Sequence, residues 1–383
     1  MKKKAIAAAV TILILICVSV ILVFKLRPHT EELPDVKDRP YTEEPADDEE
    51  RPNTEEPADD EERPNTEEPA DDEGRPYTEE SSDVDEELVH KFSTELYDSA
   101  EVYVPNEETA RRLLRAQGEL LRDEDRDEHV MEVERYLETT YDMESVYLKD
   151  MEPEIADAVK DACDHMYGRY PILNGYLTNI TVKDEVTEEI SAISLFETET
   201  FIMNDSYEDI YPMVIRKQIL LRAKDFENGR RLQNMIKINV RDGYWTEGTD
   251  VSAVIVHELG HALISCIISD QCGLGNTVYI DGDNADAYSE YNMQQLSDRQ
   301  DLVKDLCNRA YDRYRNEYGK DGSYEDFCKE ISDYAQGLQD DGGISYDETV
   351  AEAISNGYVH GDDCVLPAAL ILEEIDRTIG ELQ

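Results

Sequence analysis

The sequence predicts an α+β domain: a twisted sheet packed on one long apolar helix, then a helical C-terminal part. A transmembrane helix and a disordered acidic stalk are expected to precede it. Three observations carry this expectation. Residues 251–268 form an apolar run with helical spacing that follows strand-like segments between residues 176 and 240. Ala5 to Phe24 is a continuous apolar stretch behind Lys2, Lys3 and Lys4. Residues 39–86 repeat an acidic unit that has almost nothing apolar to bury.

Taken in order, Ala5–Phe24 is long enough to cross a bilayer and longer than a typical cleavable signal core. Lys25 and Arg27 follow directly, with no small-residue cleavage site, and Ile16 before Cys17 is too large for a lipoprotein signal. Residues 1–4 are therefore expected in the cytoplasm and 5–24 as a signal anchor, with a cleaved signal peptide as the alternative. The expected location is a single-pass protein of the cell membrane, its C-terminal part extracellular. Residues 25–87 read as the stalk. The unit Arg39-Pro-Tyr-Thr-Glu-Glu-Pro-Ala-Asp-Asp-Glu-Glu50 recurs from Arg51 and Arg63 and degenerates after Arg75. Between residues 31 and 90 there are 27 acidic and 5 basic side chains, so self-repulsion and regular proline favour an extended chain. Its reach when fully extended is about 150–200 Å.

The whole chain of 383 residues has a formal net charge of −53. That excludes nucleic acid and anionic membrane surfaces as natural partners and suits an exported protein that meets cationic peptides. From Leu88 the composition becomes globular. Glu107 to Leu121, Glu128 to Thr140 and Pro153 to Tyr167 carry apolar residues at helical spacing, giving a helical N-terminal module over 88–170 or a preceding layer of the same domain. The main unit is expected over 171–383. There Tyr176–Val182, Ile190–Phe201 and Met213–Leu221 read as strands, Glu227-Asn228-Gly229 as a turn and Met235–Val240 as another strand. Thr249 or Asp250 then caps the long helix.

That helix contains His257-Glu258-Leu-Gly-His261. Residues four apart on a helix lie one above the other, so His257 and His261 can present two imidazoles to one ion. Glu258 sits about 100° round the helix, placed to take a proton from a water on that ion. Neutral nitrogen ligands with a nearby carboxylate suit Zn2+. Buried histidines and a glutamate in a core helix would otherwise be costly. Ile264 and Ile267 replace the glycine and third histidine of the extended H-E-x-x-H-x-x-G-x-x-H pattern, so the third ligand lies elsewhere. Downstream, Glu348 and Glu352 are one turn apart on an expected helix. Glu348 is the candidate third ligand, with Glu352 or His360 as the alternative, and Glu352 is otherwise placed to bond a histidine's free ring nitrogen.

His257-Glu258-Leu-Gly-His261 with Glu348-Thr-Val-Ala-Glu352-Ala resembles a gluzincin metallopeptidase, and the second segment is similar to the E-x-x-A-E-A helix of the lethal-factor-like (minigluzincin) branch. The resemblance spans roughly residues 230–358. It implies a zincin-like fold, zinc, and hydrolysis of peptide bonds in a protein or peptide substrate with Glu258 as the base. It also implies a tyrosine or histidine that stabilises the oxyanion. That branch has its tyrosine seven residues before the third ligand, where this chain has Asp341, leaving Tyr346, Tyr358 and His360 as substitutes. A catalytically silent zincin used for surface binding or sensing is the alternative function.

Two weaker signals complete the reading. Cys163, Cys266, Cys272, Cys307, Cys328 and Cys364 permit disulfides or free thiols equally. Asp281-Gly-Asp283-Asn-Ala-Asp286 lacks the ligand pattern of a calcium loop and is expected to be a solvated turn. Oligomeric state has no sequence signature here.

Overall fold

A computed structural model of the protein describes residues 106–120, 126–183, 192–200, 213–295, 301–337 and 345–382. The expected signal anchor and the acidic stalk lie outside the described residues. The architecture is α+β, mostly helical with one small sheet.

The chain enters through α1 (Glu107–Leu120), where the Asn106 side chain accepts a hydrogen bond from Thr109 N at 2.9 Å. Helix α2 (Glu128–Tyr141) is capped by Asp127 and stopped by Asp142, whose φ of 55° leaves the helical region. Strand β1 (Ser145–Tyr147) leads to α3 (Pro153–Arg169), which has proline at its first position, where no amide donor is needed. Strands β2 (Asn179–Lys183), β3 (Ala192–Thr200) and β4 (Met213–Arg222) follow, coinciding closely with the segments expected from sequence. After β4 come the short α4 (Ala223–Phe226) and α5 (Gly229–Arg241). Then α6 (Val251–Gln271) runs through the middle of the molecule to β5 (Tyr279–Ile280). Five helices complete the chain: α7 (Ala285–Gln295), α8 (Asp301–Asn316), α9 (Tyr324–Lys329), α10 (Tyr346–His360) and α11 (Leu366–Leu382).

The strand order is β1-β2-β4-β3, with β1, β2 and β4 parallel and β3 antiparallel on the far edge; β5 pairs with the start of β4. Helix α6 packs against α3, α10 and the sheet. Seventeen of its residues are buried, and Asp250 caps it by accepting from Ala253 N at 2.9 Å. It is apolar and long enough to cross a membrane but here forms the core. One hydrophobic cluster extends from Val130 in α2 through α3 and α6 to Ile375 in α11, and β1 belongs to the sheet. Helices α2 and α3 thus share the core of α6, while α1 packs in a smaller cluster with Val214 and Val278.

One expected strand is a helix. Met235–Val240 alternates in polarity, yet it belongs to α5. The same segment also fits a helical stripe, because Leu232, Met235, Ile236 and Val240 fall three, four and eight residues apart. Asn228 decides between the two by accepting from Arg231 N at 2.9 Å, so the expected turn is a helix start. The cost of the helix is visible at Ile238, which is 50 % exposed. The segment after Tyr279 is a turn as expected: Asp283 N donates to Asp281 Oδ1 and Asp281 N to Asn284 Oδ1, both at 2.9 Å. All six cysteines among the described residues are free thiols.

Candidate metal centre

The centre is built where α10 crosses α6. Gly260, between the two histidines, makes that crossing close: a Cβ there would lie 3.2 Å from Ala351 Cα and 3.3 Å from Ile354 Cδ1. Without a side chain at this position the helices approach far enough for Glu348, in the first turn of α10, to reach both imidazoles. Gly337 presses on the other side. It has φ of +43°, and a Cβ would meet Glu348 Cβ at 2.8 Å.

Three lone-pair atoms converge. His257 Nε2 and His261 Nε2 are 3.1 Å apart, and Glu348 Oε2 lies 3.3 Å from the first and 3.6 Å from the second. Glu348 Oε2 is buried and has no hydrogen-bond partner. Ligands held 2.0–2.1 Å from a tetrahedral ion are separated by about 3.3–3.4 Å, so this triangle has the size of one face of such a site. His257, His261 and Glu348 can hold a metal ion.

The remaining ring nitrogens face carboxylates. Glu352 Oε1 lies 2.9 Å from His257 Nδ1, a close ionic contact without the alignment of a hydrogen bond. Asp347 Oδ2 bonds His261 Nδ1 at 2.8 Å. Carboxylates in these positions fix ring orientation and raise ligand basicity. Glu352 is itself held by Ser332 Oγ, which donates to its second oxygen at 2.7 Å and accepts from Ala335 N at 2.9 Å. Burial disfavours charge on both rings, but Glu348 and Glu352 outweigh it and push His257 up to about 10. His261 is likewise raised, against burial, by Asp347 and Glu348. Burial also opposes ionisation of Glu348, yet the two rings hold its carboxyl below the usual range. Protons and a metal ion therefore compete for the same lone pairs, and metal binding weakens as pH falls.

The structure brings together His257, His261, Glu348 and Glu352, and it keeps Glu258 buried on α6 beside them. It places the expected oxyanion donors elsewhere. The Tyr346 ring sits 5.4 Å from that of Tyr324, and Tyr358 stands edge-on to His165 at 4.8 Å. His360 ends α10, roughly 18 Å along the helix axis from Glu348. Instead the Tyr334 ring stacks on His257, centroids 5.6 Å apart at 24°. Burial raises the Tyr334 phenol, reinforced by the nearby Glu348, Tyr244, Glu258 and Glu352.

Three residues of this site were not singled out from sequence. Asp347 precedes the ligand but is explained locally as an acidic residue in a helix's first turn, where the dipole favours it. Ser332 and Tyr334 lie just after α9, Tyr334 opening the 3-10 turn Tyr334–Gln336, and carry no periodic signal; only the tertiary fold brings them in. Comparison with protein-family models, curated proteins and solved structures finds no match to this chain.

Proposed function

We propose that this chain is a membrane-anchored zinc metallopeptidase of the gluzincin type, with a zincin-like fold, that hydrolyses peptide bonds in proteins or peptides outside the cytoplasm. The observation that carries the proposal is the triangle of His257 Nε2, His261 Nε2 and Glu348 Oε2, with mutual separations of 3.1, 3.3 and 3.6 Å. Two nitrogens and one carboxylate oxygen form the donor set of catalytic zinc sites that keep a position open for substrate or water. The anchor and the extracellular placement rest on Ala5–Phe24 and its flanking charges.

Bound through His257, His261 and Glu348, zinc would polarise the scissile carbonyl and acidify a nearby water. The chain's own groups do the rest. Glu258 takes a proton from the attacking water at a carboxylate oxygen and passes it to the nitrogen of the leaving amine. Tyr334, whose ring stacks on His257, is the group we assign to donate its hydroxyl hydrogen to the developing oxyanion. Glu352 and Asp347 hold the two rings, and the buried apolar surround of α6 limits bulk water.

The test is peptide hydrolysis by the purified, zinc-loaded full chain beside Glu258→Gln. The expected result is cleavage by the unaltered protein, a drop of about 10²–10⁴-fold in Glu258→Gln, and unchanged zinc content. A folded, zinc-loaded protein that cleaves nothing in a broad peptide library contradicts the proposal.

A further inference from the structure

Helix α5 inverts the charge of the molecule. The chain has 90 acidic and 37 basic residues, yet α5 is the one α-helix among the described residues with no acidic residue, and it carries Arg230, Arg231, Lys237 and Arg241. All four are exposed. Arg241 is neutralised by Asp242, with contacts of 2.8 and 3.1 Å, and Arg231 lies 3.4 Å from Asp225. Arg230 and Lys237, seven residues apart and so on one face, make no ion pair among the described residues. On one side both line a cleft with Glu152, Glu154 and Asp250, none of which pairs with them.

The same face is partly apolar. Ile238 is 50 % exposed and Tyr244, just beyond the helix, is 46 % exposed. A shallow groove of about 460 Å³ runs along α5 between Arg230, Asn234, Met235 and Ile238. This strip leads to the metal centre. Tyr244 N donates to Asn239 O at 2.9 Å, and Tyr334 N to Tyr244 O at 3.2 Å, tying the end of α5 to the 3-10 turn Tyr334–Gln336. The Tyr244 ring lies 4.8 Å from that of Tyr334, which stacks on His257.

We propose that the exposed face of α5, with Tyr244, is a substrate-docking surface that selects peptides carrying acidic side chains beside an apolar one. This rests on the peptidase reading above and names its substrate class. The chain's large negative charge does not forbid it. Beyond about 8 Å, physiological salt screens the distant carboxylates, and no acidic residue lines the groove along Arg230, Asn234, Met235 and Ile238, so contact selectivity there follows Arg230 and the neighbouring Lys237. Ile238 and Tyr244 supply exposed apolar area for a side chain to cover.

The test uses two labelled ten-residue peptides: one with three aspartates beside an Ala-Leu pair, the other with asparagines in their place. Binding is read by fluorescence anisotropy on the zinc-loaded Glu258→Gln full chain, which does not turn the peptides over. Cleavage is read on the unaltered chain. The expected result is at least tenfold tighter binding and a correspondingly lower KM for the aspartate peptide. That advantage falls with salt and disappears in Arg230→Glu/Lys237→Glu, while cleavage of the asparagine peptide by that variant is unchanged. Selective binding without cleavage upholds the docking surface and overturns the peptidase reading. Cleavage without preference for the aspartate peptide overturns the docking surface alone. Self-association of the full chain that the double substitution abolishes, with no peptide preference, assigns the strip to a second copy and also overturns it.

Discussion

Two buried charged clusters in this molecule use carboxylates in opposite ways. Glu134, at 1 % exposure, takes both oxygens of its carboxylate to Arg126. It also accepts from Leu148 N at 2.6 Å, and Arg126 spends further donors on Lys149 O at 3.0 and 3.2 Å. That cluster closes on itself and joins α2 to the end of β1. At the crossing of α6 and α10, by contrast, Glu348 Oε2 is buried without a hydrogen bond and faces two imidazole nitrogens that face each other. A structural ion pair saturates its donors and acceptors, whereas a binding centre directs them at a common point and stays incomplete without an occupant.

The sharpest way to break this contrast is to remove one member of each cluster. Glu348→Ala should abolish stoichiometric zinc binding, an effect larger than the roughly 100-fold ceiling expected for an outer partner. Zinc retained by this variant in a competition titration would mean that the three atoms are not the ligand set. Glu134→Ala should instead lower unfolding stability by about 3–5 kcal/mol, because it strands the buried Arg126 charge, with zinc per folded chain unchanged. Denaturant melts paired with metal analysis distinguish the two outcomes. If Glu134→Ala also loses zinc while folded, the clusters are not independent.

Asp347→Asn refines the comparison inside the metal centre. It keeps the shape but removes the charge facing His261 Nδ1, and zinc affinity should fall about 10–100-fold. An unchanged affinity would reduce Asp347 to a helix-terminal acid.

Lys217 offers a third kind of buried charge. It is 1 % exposed, with Nζ 3.1 Å from Gly275 O and 4.4 Å from the Tyr176 ring centroid. Burial pushes it down from 10.5 to about 7. Below pH 7 both folded and unfolded chains carry the proton, and the full cost of the buried charge is present. Between pH 7 and 10.5 the folded chain releases that proton first, so stability rises with pH. Lys217→Met should therefore raise Tm more at pH 6 than at pH 9. An equal gain at both values would show that Lys217 is not held in this way.

Much of the centre was legible because its residues recur with the period of the elements that carry them. His257 and His261 are four apart on a helix whose apolar surround is continuous, and Glu348 and Glu352 repeat that spacing on α10. The end of α5 was misread because Met235–Val240 satisfies both periods, and only the Asn228 cap and burial of Leu232 and Ile236 select the helix. Tyr334 and Ser332 reach the site through a turn held by Ser332–Glu352 and by Tyr334 N to Tyr244 O. Those contacts join residues far apart in sequence, and no local pattern encodes them.

The most direct test of the account is zinc bound per molecule by the purified, folded full chain after exposure to zinc and exhaustive dialysis, beside His261→Ala. About one zinc is expected in the unaltered protein and none in the variant. No zinc in the folded, unaltered chain, or equal zinc in both, would contradict the claim that His257, His261 and Glu348 are a metal centre.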